Sequence, residues 1–310
     1  MPRERSRSAR IAWRRLNGIL LLDKPSGASS NAVLQQVRRL FRAEKGGHTG
    51  SLDPLATGLL PICFGEATKI AGLLLGADKA YETECLLGVT TDSCDADGTV
   101  LERRPVPAFD EAALEAALAT LRGRIGQVPP IYSALKRGGE PLYRIARRGE
   151  AVEVAPRAVD VARFECIARD ADRLRLIVEC GSGTYVRSLV RDLGERLGCG
   201  AHVTSLRRLW AAPFRSPRMY TPEQLGAVAD AGGEAALDAL LLPLESGLAD
   251  HPRIALERED ASRLASGQVI AGRAEAAGRY LACGPEGRAV ALAEVDRHGA
   301  LRCLRGFVCD

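Results

Sequence analysis

Apolar residues fall in short blocks whose spacing changes along the chain. The run "LNGILLLD" is almost continuously apolar, and residues 17–22 read as a buried strand. Ser29 or Ser30 then caps a helix whose apolar positions Val33, Leu34, Val37, Leu40 and Phe41 keep helical spacing. After a glycine-rich loop, "LLPICFG" reads as a short strand, "EATKIAGLLLG" as a helix ended by Gly76, and "AYETECLLGV" as a strand with partial alternation. A further helix opens on Asp110 and closes on Gly123. Strands near 157–167 and 173–180 lead into "GSGTYVRSLVRDLGERLG", a glycine turn feeding a helix with Val186, Leu189, Val190 and Leu193 on one face, and "AHVTSLRRLW" is the next strand. This alternation implies a mixed α/β or α+β fold around a large sheet of mixed direction. Beyond "ALDALLLPLESGLADHP" the short strands "YLACG", "AVALAEV" and "LRCLRGFV" are separated by the turns "PEG" and "RHG", which predicts a small all-β domain from about residue 250.

The 310 residues, 46% of them hydrophobic, suffice for one large core and a small one. None of the nine cysteines stands in a C-x-x-C pair, so they predict buried thiols in a reducing cytoplasm, not a zinc module or a disulfide framework. The apolar runs fall short of the roughly 20 residues that a membrane span requires. The net charge is only +4, but arginines concentrate in the first 15 residues, and basic residues recur in "ALKRGGEPLYRIARRGE" and "LRRLWAAPFRSPR". Such clusters suit a polyanionic partner as well as solvated helix faces. The N-terminal cluster fits a nucleic-acid arm, a transit peptide or a solvated tail.

Several chemistries are excluded. "DSCDADG" resembles a calcium loop, yet its first ligand would be Ser93 and its twelfth Arg104, where a bidentate glutamate is required, so an acidic surface turn is expected. There is no Walker A motif, G-x-S-x-G elbow or H-E-x-x-H, and the four histidines lack metal-ligand spacing. Neither a cofactor nor a metal is called for. What remains is Asp53 in "GGHTGSLDPLATGLLPICFG". Pro54 biases it to an extended backbone, and Gly46, Gly47 and Gly50 remove side chains that would hold a bulky ligand away. The residues alone equally allow an aspartate that caps the turn before "LATG".

Read in order, "GILLLDKPSGASSN", "GGHTGSLDPLATGLLPICFGEATK", "DKAYETECLLGVTTDSCDADG", "PPIYSALKRGGEPLYRIARRG" and "CGSGTYVRSLVRDLGERLGCGAHVTSLRRL" resemble the TruB family of tRNA pseudouridine-55 synthases. The likeness runs from about residue 17 to 222, and beyond residue 250 it is a weaker one to a PUA-type RNA-binding domain. Ser182 stands where related sequences can carry a basic residue, and the arginine-rich start lies outside the family pattern.

The resemblance implies an α+β pseudouridine synthase fold: a large mixed, mainly antiparallel sheet flanked by helices, with a small C-terminal all-β PUA-like domain. The expected boundaries are a basic flexible arm at 1–16, a catalytic domain at 17–248 with an RNA-binding insertion at about 124–152, and the PUA-like domain at 249–310. It implies isomerisation of uridine 55 in the tRNA T-loop without cofactor or metal, by base flipping and an essential Asp53. Arg187 would pair with Asp53, Tyr81 would stack on the target base, and Tyr185 and Leu206 would complete the pocket, although Tyr81 and Leu206 also read as ordinary sheet residues. His48 matches a residue inserted among displaced loop bases, or makes a loop hydrogen bond. Lys24 and Lys69 sit in matched motifs as supports and are grouped with His48, Lys136, Arg137, Arg144, Arg147 and Arg148 as RNA contacts. The implied partner is the T-arm of tRNA, met by a cytoplasmic monomer without guide RNA or membrane; an RNA-binding or tRNA-folding factor is the alternative.

Overall fold

The computed structural model describes residues 12–133, 135–148, 150 and 154–308. The first strand, β1 (Gly18–Lys24), is followed by α1 (Ser30–Leu40), the short β2 (Gly46–His48) and β3 (Thr57–Phe64). Of the two serines before α1, Ser29 is the cap: its hydroxyl accepts from the Ala32 N–H at 3.1 Å. The predicted helix at 66–76 is a 3₁₀ turn, Gly65–Ile70, continuing into the single-turn α2 (Ala71–Leu75). Next come β4 (Lys79–Leu87), the hairpin of β5 (Val89–Thr91) and β6 (Val100–Arg103), and α3 (Glu111–Ala119), whose cap Asp110 accepts from the Ala113 N–H at 2.8 Å. That helix stops short of Gly123, because Gly123 opens β7 (Gly123–Gln127), an edge strand of the main sheet.

The chain then forms a two-residue ribbon, β8 (Lys136–Arg137) with β9 (Glu140–Pro141), and α4 (Leu142–Arg147). Of the span 124–152 expected as an insertion, residues 124–127 belong to the sheet. The long strands β10 (Arg157–Asp170) and β11 (Arg173–Cys180), helix α5 (Val186–Arg196), β12 (Ala201–Ala211) and α6 (Pro222–Asp238) complete the larger part. Helix α6 has no counterpart among the sequence expectations. It starts at a capping box between Thr221 and Gln224 and is interrupted at Gly233.

The main sheet runs β1-β3-β12-β4-β11-β10-β7, with β2 also on β3; every pairing is antiparallel except β12 with β3. Burial on both faces explains the apolar runs Ile19–Leu22 of β1 and Leu59–Phe64 of β3. Leu20, Leu22, Leu60 and Ile62 face one core with α1 and α5, whereas Ile19, Leu21, Leu59 and Cys63 face a second core. That second core also takes in Leu281, Leu292 and Phe307 from the C-terminal segment. The segment is a four-stranded sheet, β13 (Arg253–Ala255), β14 (Gly278–Cys283), β15 (Ala289–Val295) and β16 (Leu301–Gly306), accompanied by helix α7 (Arg258–Ala265).

Residues 1–11 of the expected flexible arm lie outside the described residues. Residues 12–16 do not behave as an arm: Arg14 grips Asp238 with two hydrogen bonds, and the Arg38 guanidinium lies 4.5 Å from the Trp13 ring centre. Among the described residues, no helix is long and apolar enough to cross a membrane.

Candidate active site

Asp53 lies in the loop from β2 to β3, and three elements hold that loop. Ser30, on the first turn of α1, donates to Leu52 O at 3.0 Å and accepts from the Leu52 N–H at 2.7 Å. The Lys24 ammonium, at the end of β1, donates to Pro25 O at 2.8 Å, Pro54 O at 3.2 Å and Ala56 O at 2.7 Å. Within the loop, Asp53 O accepts from the Ala56 N–H at 3.1 Å. The turn is thus closed by the backbone of Asp53, and its carboxylate is directed elsewhere.

That carboxylate meets Arg187 in a two-pronged pair, Nε to Oδ2 at 2.9 Å and Nη2 to Oδ1 at 3.1 Å. The Arg187 side chain is 4% exposed and that of Asp53 39%, so the cation is enclosed and one side of the acid stays open. Arg187 also donates to Ser93 O at 2.7 Å and Tyr132 O at 3.0 Å, and its Nη1 is 3.5 Å from Asp95 Oδ2. Burial pushes the Asp53 carboxyl above the ordinary carboxylate range; Arg187 opposes that rise and Asp95 adds to it.

The "DSCDADG" turn is therefore only partly a surface feature: Ala96 and Asp97 are exposed, whereas Ser93, Cys94 and Asp95 are buried. Asp95 and Ser93 are buried and hydrogen-bonded to each other, and the turn is docked on β12 through Val203 N to Cys94 O at 3.1 Å. Sequence reading missed Asp95 because its acids resembled a solvated turn, and nothing local signals that Arg187 arrives across the fold.

A cleft of about 480 Å³ opens beside the pair and brings together Asp53, Tyr81, Tyr185, Arg187 and Leu206. Tyr81 and Leu206 come from neighbouring strands β4 and β12. Tyr185, the residue before α5, is fixed by Gln127: its N–H donates to Gln127 Oε1 at 2.8 Å, and Gln127 Nε2 donates to its carbonyl at 3.1 Å. Burial raises both phenols, with the nearby Arg208 opposing the rise at Tyr81 and the Arg187 charge opposing it at Tyr185. Lys79 and Arg208 also line the cleft. Sequence reading passed over them, although K-x-Y on β4 and L-x-R on β12 are spacings that put both residues of each pair on one strand face.

The remaining expected contacts are distributed differently. Lys24 is fully buried with its ammonium on loop carbonyls, so it braces the Asp53 loop and does not present its charge to a ligand. Desolvation lowers that ammonium to about 8, with Asp53 opposing. Lys69 is exposed and holds Glu66 at 2.5 Å and Gly306 O at 2.9 Å, joining the 3₁₀ turn to the C-terminal sheet. His48, on β2 opposite Ile62, does not line the cleft; its Nδ1 is buried without a hydrogen-bond partner among the described residues, and burial holds its pKa below the ordinary histidine value. Lys136, Arg137 and Arg144 are exposed on the β8–α4 segment. Arg148 is exposed but paired with Glu140 at 2.5 Å and Glu150 at 2.6 Å. The side chain of Arg147 lies outside the described residues. No cluster of metal-ligating side chains is present among the described residues.

Comparison with known proteins agrees with this architecture. Residues 38–186 match the family described as TruB family pseudouridylate synthase (N-terminal domain), and residues 187–249 match the tRNA pseudouridylate synthase B C-terminal domain. The C-terminal four-stranded segment lies past both. A protein named tRNA pseudouridine synthase B from Xanthomonas axonopodis pv. citri is 61% identical over 298 residues, 96% of each chain. Its namesake from Stutzerimonas stutzeri is 53% identical over 93% of this chain and 94% of its own. Among solved structures, an H/ACA ribonucleoprotein bound to a substrate RNA containing 2′-deoxyuridine aligns with a TM-score of 0.73 at 21% identity, covering 94% of this chain and 85% of that one. An archaeal box H/ACA Nop10–Cbf5 complex aligns with a TM-score of 0.72 at 22% identity, covering 95% and 87%. At those identities the structural likeness concerns the fold.

Proposed function

The chain belongs to the TruB family of pseudouridylate synthases, and on that basis we propose that it converts uridine 55 in the T-loop of tRNA to pseudouridine, with Asp53 as the essential catalytic residue. The observation that carries the residue assignment is the half-open Asp53 carboxylate, paired with an enclosed Arg187 at the mouth of a cleft also lined by Tyr81 and Leu206. The reaction breaks the bond from ribose C1′ to uracil N1 and rejoins the ring through C5, so atoms balance within the substrate.

A uridine stacked in a folded loop is flipped into the cleft at a cost of a few kcal/mol, and Tyr81 and Leu206 receive it by stacking and apolar contact, beside Tyr185. Asp53 acts as an anion in a partly dry site. Arg187 favours that charged form, and its carbonyl partners and Asp95 hold the guanidinium in register. Ser30 and Lys24 fix the loop that presents the acid. The exposed basic residues of the β8–α4 segment contact the T-arm, and His48 acts among the displaced loop bases. We place the protein in the cytoplasm as a monomer that needs no guide RNA, because the basic insertion is part of its own chain.

The test is pseudouridine formation in a synthetic T-arm hairpin, mapped by carbodiimide adducts, for wild type and Asp53→Asn. Modification by wild type alone, with binding kept in the variant, supports the assignment. Binding without modification by either protein would replace it with an RNA-binding or tRNA-folding factor.

A further inference from the structure

Lys79 and Arg208 have no part in the site described so far. Alternation on β4 places Lys79 and Tyr81 on one face, and alternation on β12 places Leu206 and Arg208 on one face, with Arg208 opposite Tyr81 in the register. All four line the same cleft. Lys79 is 7% exposed and Arg208 1%, yet neither forms a salt bridge with a carboxylate among the described residues. Backbone carbonyls hold them instead: Lys79 Nζ donates to Leu75 O and Ala77 O, and Arg208 donates to Leu59 O at 2.6 Å and to Gly50 O at 3.2 Å. Lysine has three donors and guanidinium five, so each is oriented while retaining further donors. A side chain at Gly50 would cover them, since its Cβ would lie 3.6 Å from Arg208 Nη1 and 3.8 Å from Lys79 Cε; glycine leaves them facing the cleft.

Two buried like charges that form no salt bridge among the described residues are costly to keep. Their place beside Tyr81 and Leu206 in the cleft matches the one moment at which the proposed substrate becomes negative there. We propose that Lys79 and Arg208 are catalytic residues that stabilise the negative charge developing on the uracil ring as its bond to ribose breaks; this rests on the pseudouridine reading above. When C1′–N1 breaks, the electron pair passes to the ring and spreads over N1, O2 and O4. The ring turns, C5 forms the bond to C1′, C5 releases its proton, and N1 takes one up. Fixed cations in a site of low dielectric stabilise that anion more than the neutral bound uridine, and so act on the rate.

The experiment measures the single-turnover rate constant and the hairpin Kd for wild type, Lys79→Met, Lys79→Arg and Arg208→Lys. Lys79→Met is expected to lower the rate constant by about 10²–10³-fold with Kd little changed, and Lys79→Arg to restore most of it. Desolvation and Arg208 lower Lys79 to about 8, against Cys180 and Asp78. The wild-type rate should therefore fall above about pH 8, while that of Lys79→Arg stays level. This pH comparison decides the matter even if Lys79→Met fails to fold. Weakened hairpin binding with an unchanged rate constant would assign the cations to phosphate, and an unchanged rate constant with matching pH profiles would make them structural; either overturns the proposal. Wild type that makes no pseudouridine in any T-arm RNA overturns the function itself, and this inference with it.

Discussion

Asp53 illustrates opposed influences on a single residue. Burial raises its pKa and Arg187 restrains the rise, so the ionised fraction depends on that pair. Activity should be lost as pH falls through a value above the ordinary aspartate figure of about 3.9, because only the ionised form works. Arg187→Met should move that acid limb of the kcat/KM profile upward, and Asp53→Asn should lower kcat about 10²–10⁴-fold at neutral pH. Lys24 behaves oppositely. Its folded value near 8 lies below the ordinary 10.5, so between those pH values the unfolded chain keeps a proton that the native state has released. Native stability contributed by this residue therefore rises with pH across the window. In denaturant titrations wild type should gain up to ~3 kcal/mol relative to Lys24→Met between pH 8 and 10.5, at about 1.4 kcal/mol per unit.

At the scale of elements, the Asp53 loop is an adjunct of its neighbours. Ser30 satisfies both the N–H and the C=O of Leu52, one residue before Asp53, from within a helix. Ser30→Ala leaves those buried groups unpaired and should cost about 1–3 kcal/mol while lowering kcat more than it raises KM. The segment from β8 to α4 carries Lys136, Arg137, Arg144 and Arg148 exposed. Replacing residues 135–150 by a short glycine-serine linker should weaken tRNA binding and flatten its dependence on log salt by nearly one unit for each phosphate no longer neutralised, as read by filter binding across a salt series. Tyr132 precedes the cut, so the carbonyl that holds Arg187 is retained.

For the whole molecule, the boundary near residue 249 separates sequence textures more than it separates cores. Ile19, Leu21, Leu59 and Ile70 share an apolar cluster with Leu281, Leu292 and Phe307, and Lys69 to Gly306 O and Glu66 to the Val308 N–H tie the same junction. The two parts should unfold in one calorimetric transition. Phe307→Ala, far from the cleft, should destabilise that single transition by about 3–5 kcal/mol, whereas two separated transitions would show independent units.

The sequence by itself determined many of the elements and singled out Asp53 as the candidate acid. Helical spacing from Val33 to Phe41, the cap at Asp110 and the apolar face of α5 are local patterns, and local patterns depend only on backbone periodicity. The motif around Asp53 and the family words carried Tyr81, Tyr185, Arg187 and Leu206 into one expected site, and the fold gathers all five in one cleft. Only the tertiary structure decided which charges face solvent. Lys24 read as a basic residue for RNA and is consumed by carbonyls; Asp95 read as part of an acidic surface turn and is buried beside Arg187; Lys79 and Arg208 carry no assigned role in the sequence and line the cleft. The reason is physical: a charge is defined by its surroundings. For these residues the partners lie on strands or loops far along the chain, where no spacing rule within one element reaches.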